Sequence, residues 1–276
     1  MCALLHNLST PALIHAIEAN NEAFYAQFAS LPSAEFHQSA EHTWFATGSP
    51  IALFSGVTHT QVPTPDVDAQ IAAQIAVFRQ RDVPFLWHLG PSTQPEGLGD
   101  HLEAHGLTHV DDGTGMAADL WTLREQIEVP PALRIVPVTT TDLLHQWVEV
   151  FVERHSEAIE PCFDVYARLG LNLQAPLQHF LGMLDGEPVA TSSFFAAAGV
   201  VSAQHVSTLQ AARRQGIGAA MTLTALRAAR DAGHRVAVLI SSSMAVDMYR
   251  RLGFKEYCSF ELYAWLGEPA VHENAG

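Results

Sequence analysis

The sequence predicts an α/β fold divided into two domains, and three observations carry that reading. The chain has 276 residues, 48% of them apolar, which is enough to bury more than one core. The segment Glu128-Val129-Pro130-Pro131-Ala132 sets two prolines between patterned stretches, and paired prolines stiffen a linker while ending helices and ladders alike. Downstream of it, strand-like and helix-like runs alternate, and a fainter version of the same order lies upstream. The boundary is therefore placed to give domains 1–128 and 129–276.

In the first half a helix is expected around Asp68 to Gln80, and Val83-Pro84-Phe85-Leu86-Trp87-His88 reads as a strand. A helix from Gly99, the pair Gly106-Leu107 and a strand at Ala117-Ala118-Asp119-Leu120-Trp121 follow. That order of strand, helix, Gly-apolar and strand repeats from Val236 to Trp265, which suggests a duplicated domain.

In the second half Leu133 to Val138 reads as a short strand, and Thr141-Asp142 offers an N-cap to a helix through Val152. Residues 159–176 look mixed. Two strands, at residues 180–184 and 188–195, flank Asp185-Gly186-Glu187, a hairpin signal because Asp-Gly supplies the positive backbone angles of a tight turn. A strand from Val200 to about Leu209, a helix from Ile217 to Ala232, a strand at residues 235–240, a helix from Met244 to Leu252 and a strand from Glu256 to Trp265 complete the pattern.

A formal charge of −15 with only 14 Lys and Arg would repel a nucleic-acid backbone over most of the surface. Cys2, Cys162 and Cys258 are too few and too scattered for a disulfide framework or a paired-ligand zinc site. The first residues lack the basic start of a secretory signal, and no apolar run approaches the roughly 20 residues that cross a bilayer. A cytoplasmic protein with no metal and no membrane partner is expected; its oligomeric state stays open.

The strongest local signal is Val206-Ser207-Thr208-Leu209-Gln210-Ala211-Ala212-Arg213-Arg214-Gln215-Gly216-Ile217-Gly218, a strand passing through a glycine turn into a helix. Glycines let main-chain amides approach phosphate oxygens, and a helix start offers unpaired N–H groups and a positive dipole end. Further on, Ala245, Met248, Tyr249 and Leu252 fall on one stripe of a short helix that Gly253 can cap. Taken alone, Tyr249 could equally be a core aromatic.

Together these segments resemble the GNAT acetyltransferase superfamily. Arg213, Gly216 and Gly218 match its acetyl-CoA loop, Gln/Arg-x-x-Gly-x-Gly/Ala. Ser242, Ala245, Tyr249, Gly253 and Phe254 match its later helix pattern, with Ser242 in place of the usual Asn and, ahead of the loop, Gln210 in place of a frequent Pro. The resemblance covers the chain from about Leu133 onward, and the tandem arrangement would leave a degenerate first half, since Leu102 stands at the place of Tyr249 and no Gly-x-Gly precedes the helix around Asp68.

The resemblance implies two GNAT-like domains, each a mixed twisted sheet flanked by helices, with a wedge for the cofactor arm where the fourth and fifth strands splay. Val206, Ser207 and Thr208 would flank that arm through their main chain, and the amides of Gln215, Gly216, Ile217, Gly218 and Ala219 would take the pyrophosphate of acetyl-CoA. Arg213 and Arg214 add charge; Ser242 and Ala245 complete the cofactor side. An amine would attack the thioester directly in a ternary complex, with Tyr249 as acid toward the leaving thiolate. For the base, His205, a buried satisfied histidine in its place, and a water chain all stand open. Gln204 would touch substrate, and Glu157 and Glu160 would attract a cationic amine unless they merely form a solvated face. The expected function is N-acetylation of a small-molecule amine, with a non-catalytic acyl-CoA sensor as the alternative and protein acetylation as a third reading.

Overall fold

The computed structural model describes residues 4–172 and 174–267, so Cys2 and the start of the chain lie outside the description. The first half runs α1 (Thr10–Ala26), β1 (Glu35–Gln38), β2 (His42–Ala46), β3 (Ser55–Thr60), α2 (Val67–Arg79), β4 (Phe85–Leu89), α3 (Leu98–Ala104) and β5 (Thr108–Asp119). The second runs β6 (Arg134–Pro137), α4 (Thr141–Phe151), α5 (Ser156–Leu169), β7 (Leu177–Leu184), β8 (Glu187–Ala197), β9 (Val200–Thr208), α6 (Ile217–Asp231), β10 (Val236–Ser242), α7 (Val246–Leu252) and β11 (Lys255–Trp265).

Local chemistry accounts for several boundaries. Asp185 and Gly186 both take positive φ, 52° and 88°, as a two-residue hairpin turn between β7 and β8 requires. The Thr140 hydroxyl caps α4 by accepting the Leu143 amide at 3.3 Å, one residue before the cap expected at Thr141-Asp142. Gly253, at φ 107°, closes α7. The stretch expected to be mixed is largely α5, which runs unbroken through Pro161. The strand expected at Ala117 begins already at Thr108, and Leu120–Thr122 turn as a 3-10 helix.

All strands of this description belong to one mixed 11-stranded sheet, ordered β1-β2-β3-β4-β11-β5-β10-β9-β8-β7-β6. The two halves have exchanged their last strands. β11 lies antiparallel between β4 and β5, while β5 lies antiparallel between β11 and β10. Read outward from the β5–β11 pair, both directions give an exchanged strand, one short parallel pair and then antiparallel strands. This internal symmetry is what duplication would leave. Gly113 and Gly115 make the exchange possible, since a Cβ at either would lie 2.4 Å from Ile240 Cγ2 or Cys258 Sγ on the strands to each side. The expected division at 128/129 falls in a stretch without helix or strand, but the sheet itself does not part there.

Alternation along the strands separates two faces. Ala237 and Leu239 of β10 pack with α6, whereas Val236 and Val238 pack with Leu13, Ala16 and Ile17 of α1. The helix α1 therefore covers the centre of the sheet and touches strands of both halves. Its Asn20 donates to Ala197 O of β8 at 3.1 Å.

Candidate functional site

The parallel pair β9–β10 is matched only at Val201↔Ala237 and Ser202↔Val238. Beyond those residues the strands part, leaving a wedge between residues 203–208 and 239–242. Leu209 N–H bonds back to Val189 O at 2.9 Å, so alternation turns Thr208 and Val206 toward the open side and Ser207 toward β8.

At the mouth of the wedge the chain turns into α6. Arg214 and Gly216 adopt φ of 64° and 77°, and Gly216 is the N-cap. Among the described residues, none of the amides of Arg214, Gln215, Gly216, Ile217, Gly218 and Ala219 has a hydrogen-bond partner. A Cβ on Gly218 would sit 3.3 Å from Met248 Sδ and 3.6 Å from Thr208 Oγ1, so the end of β9, the start of α6 and α7 converge there. Ile217 is buried and anchors this turn in the core. The result is a cluster of unpaired donors at the positive end of a helix, which suits an anion.

The two arginines of the loop differ. Arg213 donates from Nε to Thr208 O at 2.8 Å and pairs with Glu153, so its charge is already matched. Arg214 is exposed, has no ion pair among the described residues, and lines an open depression with Gln215, Gly216, Glu128, Val129 and Pro130. The linker is thus part of the site wall: a Cβ on Gly216 would lie 2.1 Å from Glu128 O.

Tyr249 projects from α7 into the core beside α6, 6% exposed, with its ring edge-on to Phe254. Burial pushes its hydroxyl up to about 12, and a hydrogen bond with Thr222 pulls the other way. Thr222 in turn donates to Gly218 O at 2.9 Å, tying the tyrosine to the first turn of α6. A hydroxyl this hard to ionise keeps its proton at neutral pH and can serve as a donor. Thr222 was not singled out from the sequence, because a threonine inside a helix carries no signal of its partner. Ser242 and Ala245 form the turn leading into α7, where the Ala245 amide bonds to Ser242 O at 3.0 Å.

His205 is placed differently from a free base. Two residues of β9, His205 and Val206, face one of β8, and His205 takes φ 51°. This bulge turns its ring onto the α4–α5 face, where Nε2 meets Tyr166 Oη at 2.8 Å and Nδ1 meets Ser193 Oγ at 3.1 Å. His179 joins the same network through Ser193 at 2.7 Å, and Trp147 and Phe151 wall it in. Burial, followed by the charge of His179, holds His205 well below the usual histidine range. His205 is thus half-buried with both ring nitrogens partnered, so neither is free toward the wedge as the structure stands.

Gln204 folds back onto Ser202 Oγ at 3.1 Å. Glu157 and Glu160 lie exposed on α5; Glu160 faces His145 of α4 at 3.3 Å, and Glu157 has no partner among the described residues. The nearer acid is Glu153, through Arg213. Cys162 and Cys258 are both free. No group of three or more acidic, His or Cys side chains among the described residues is placed to hold a metal ion.

The first half contains the equivalent wedge, closed. The strands β3 and β4 pair only at Gly56↔Leu86 and Val57↔Trp87, but the free edge of β3 is then taken by the chain itself. The Gln94 amide donates to Thr60 O at 3.0 Å, and Val62 donates to Gln94 O at 3.1 Å. No residue of the loop after β9 makes such main-chain bonds to Val206 or Thr208 among the described residues. The turn before α2 carries Pro63, Pro65 and Asp66 where the second half has Arg214 and Gly216, and Leu102 is fully buried.

A splayed parallel pair, a glycine-capped helix start and a buried tyrosine fit one family, and residues 176–256 match the model of the acetyltransferase (GNAT) domain. This part of the second half is similar to a GNAT domain. Solved structures share the fold over most of the chain. A GCN5-related N-acetyltransferase from Kribbella flavida is 21% identical with a TM-score of 0.69, covering 92% of this chain and 96% of that one. A tandem GNAT protein from the clavulanic acid biosynthesis pathway is 13% identical with a TM-score of 0.58, covering 97% and 98%. A GCN5-related N-acetyltransferase from Sphaerobacter thermophilus is 16% identical with a TM-score of 0.55, covering 97% and 96%. No match was found among curated proteins. At these identities the likeness speaks for the fold alone. No helix among the described residues is long and apolar enough to cross a membrane.

Proposed function

We propose that the GNAT domain transfers an acetyl group from acetyl-CoA to the amine of a small-molecule acceptor, by direct attack in a ternary complex. The observation that carries this reading is the contrast between the wedges: among the described residues the second half leaves the edge of β9 at Val206 and Thr208 without main-chain partners and the amides of residues 214–219 unpaired, Thr208 O meeting only the Arg213 side chain, while the first half fills the same place with the main chain of Gln94. A diphosphate would sit on those amides with Arg214 beside it, and Val206 and Thr208 would pair with the amide-bearing arm as an added strand does.

In the reaction, Tyr249 holds a proton for the thiolate as its charge develops, and its burial keeps water from competing for that hydrogen bond. His205 positions the β9 bulge; the amine's proton leaves by solvent. Residues 129–276 form the catalytic unit, completed by the exchanged β5, and residues 1–128 a degenerate partner. We place the protein in the cytoplasm.

The test is thiol release from acetyl-CoA against a panel of small amines. Acceptor-dependent release is expected, and Tyr249→Phe should slow it about 100-fold or more with acetyl-CoA affinity unchanged. Tight binding of acetyl-CoA with no release for any amine would point to a sensor; equal turnover in the Phe variant would remove the acid from Tyr249.

A further inference from the structure

The loop that carries the unpaired amides is tied to the opposite face of the sheet by one side chain. Arg213, which immediately precedes those amides, donates from Nε to Thr208 O at 2.8 Å and from Nη2 to Glu153 Oε1 at 2.5 Å. Thr208 O belongs to the open edge of β9, so the guanidinium lies across the rim of the wedge, where an added strand would bond. Glu153 comes from the connection between α4 and α5, which pack on one face of the sheet, whereas α6, α7 and Tyr249 pack on the other. One cation therefore bridges the two sides of the rim.

Both ends of this bridge can be exchanged. The Arg213 and Glu153 side chains are 36% and 47% exposed, and an exposed ion pair is weak and screened. A diphosphate on the amides of residues 214–219 would bring more than one negative charge next to Arg213, and an arm pairing with β9 needs the Thr208 carbonyl that Arg213 Nε now holds. One ligand thus contests both of its contacts. Glu153, by contrast, is fixed by its own backbone. Glu153 and Arg154 take φ of 50° and 64°, and their amides bond to Val150 O and Glu149 O at 3.0 and 2.7 Å. The carboxylate stays at the rim when its partner leaves, and it has no second partner among the described residues.

We propose that Arg213 changes partners when the cofactor binds, leaving Glu153 for the diphosphate, and that the carboxylate so released receives the ammonium group of the acceptor. This rests on the acetyl-transfer reading above and adds to it a specificity-determining residue and an order of binding. An ammonium supplies the charge that Arg213 withdraws and donates up to three hydrogen bonds, whereas a neutral or anionic acceptor leaves Glu153 unmatched. The acceptor enters from the α4–α5 face, opposite the amides that hold the diphosphate. Its carboxylate becomes free only once the cofactor is seated, so the cofactor binds first.

The experiment is carboxyl footprinting of the full chain with a carbodiimide and glycine ethyl ester, read by peptide mass spectrometry with and without coenzyme A, which carries the diphosphate and the arm but no acetyl group. Labelling of Glu153 should rise several-fold at saturating coenzyme A, while the exposed Glu103 of α3 labels equally in both. Arg213→Ala should label Glu153 at the higher level without the cofactor; should that variant not fold, the labelling of the unaltered chain decides alone. Saturation-transfer NMR with n-butylamine then reads the role of the carboxylate. Binding about tenfold stronger with coenzyme A than without is expected, with no such gain for 1-butanol and none in Glu153→Gln, whose melting profile stays that of the unaltered chain. Unchanged labelling of Glu153 at saturating coenzyme A overturns the exchange. Butylamine that binds equally with and without coenzyme A, or shows the same gain in Glu153→Gln, overturns the assignment of the carboxylate. A chain that shows no coenzyme A binding by calorimetry removes the acetyl-transfer reading itself, and the exchange with it.

Discussion

Alanine at the two loop glycines should have opposite consequences, although the sequence makes the positions look alike. At Gly216 the backbone φ is 77° and an added Cβ would lie 2.1 Å from the Glu128 carbonyl oxygen. Left-handed backbone costs a non-glycine residue about 1–2 kcal/mol, and forcing a neighbouring main-chain group aside costs roughly 1–3 kcal/mol more. Gly216→Ala should therefore destabilise the chain by about 2–5 kcal/mol, a fall in Tm on the order of 5–15 °C. At Gly218 the backbone is ordinary and the nearest atom is Met248 Sδ at 3.3 Å, the movable end of a flexible side chain. Gly218→Ala gains about 0.5–1 kcal/mol of helix propensity and should stay within about 1 kcal/mol of the unaltered chain. Urea denaturation of both variants measures the difference. Gly216→Asn separates the two contributions, since Asn tolerates the left-handed region but still brings a Cβ toward Glu128. Equal stability of the Gly216→Ala and Gly218→Ala variants would refute the reasoning, and full recovery in Gly216→Asn would refute the linker contact.

Arg214→Ala should weaken coenzyme A binding about tenfold and flatten its salt dependence, while Arg213→Ala, which breaks the ties to Thr208 and Glu153, should cost stability as well; calorimetric titration at two salt concentrations distinguishes them. Acid should destabilise the chain early: burial holds His88 near 4 and His179 near 3, so the unfolded chain takes up protons below about pH 6.5 that the folded chain refuses, and stability falls as pH drops. Each histidine contributes up to about 1.4 kcal/mol per pH unit; urea midpoints that stay flat from pH 7 to 5 would contradict this. A protease site placed in residues 124–130 should be cut without separating the halves on a sizing column, because β5 and β11 remain paired across the break. For the same reason residues 129–276 expressed alone should not fold, lacking β5; a stable monomer of that fragment would show that the strand exchange is dispensable.

The sequence by itself determined the elements whose causes are local. The hairpin at Asp185-Gly186, the glycine turn at Gly216, the cap at Gly253 and the helix bearing Tyr249 each follow from backbone freedom and side-chain period within about ten residues, and all lie where they were expected. The echo of Val236 to Trp265 in the first half was visible for the same reason. Tertiary structure alone decided which strands pair. The periodicity of β5 and β11 shows which faces they bury and says nothing of neighbours, so the exchange that joins the halves in one sheet could not be read. The turning of His205 onto Tyr166 depends on one extra residue in β9 relative to β8, a register that exists only once both strands are paired. The closing of the first wedge by Gln94 and the wall that Glu128 lends the second are contacts between distant segments, which no local propensity encodes.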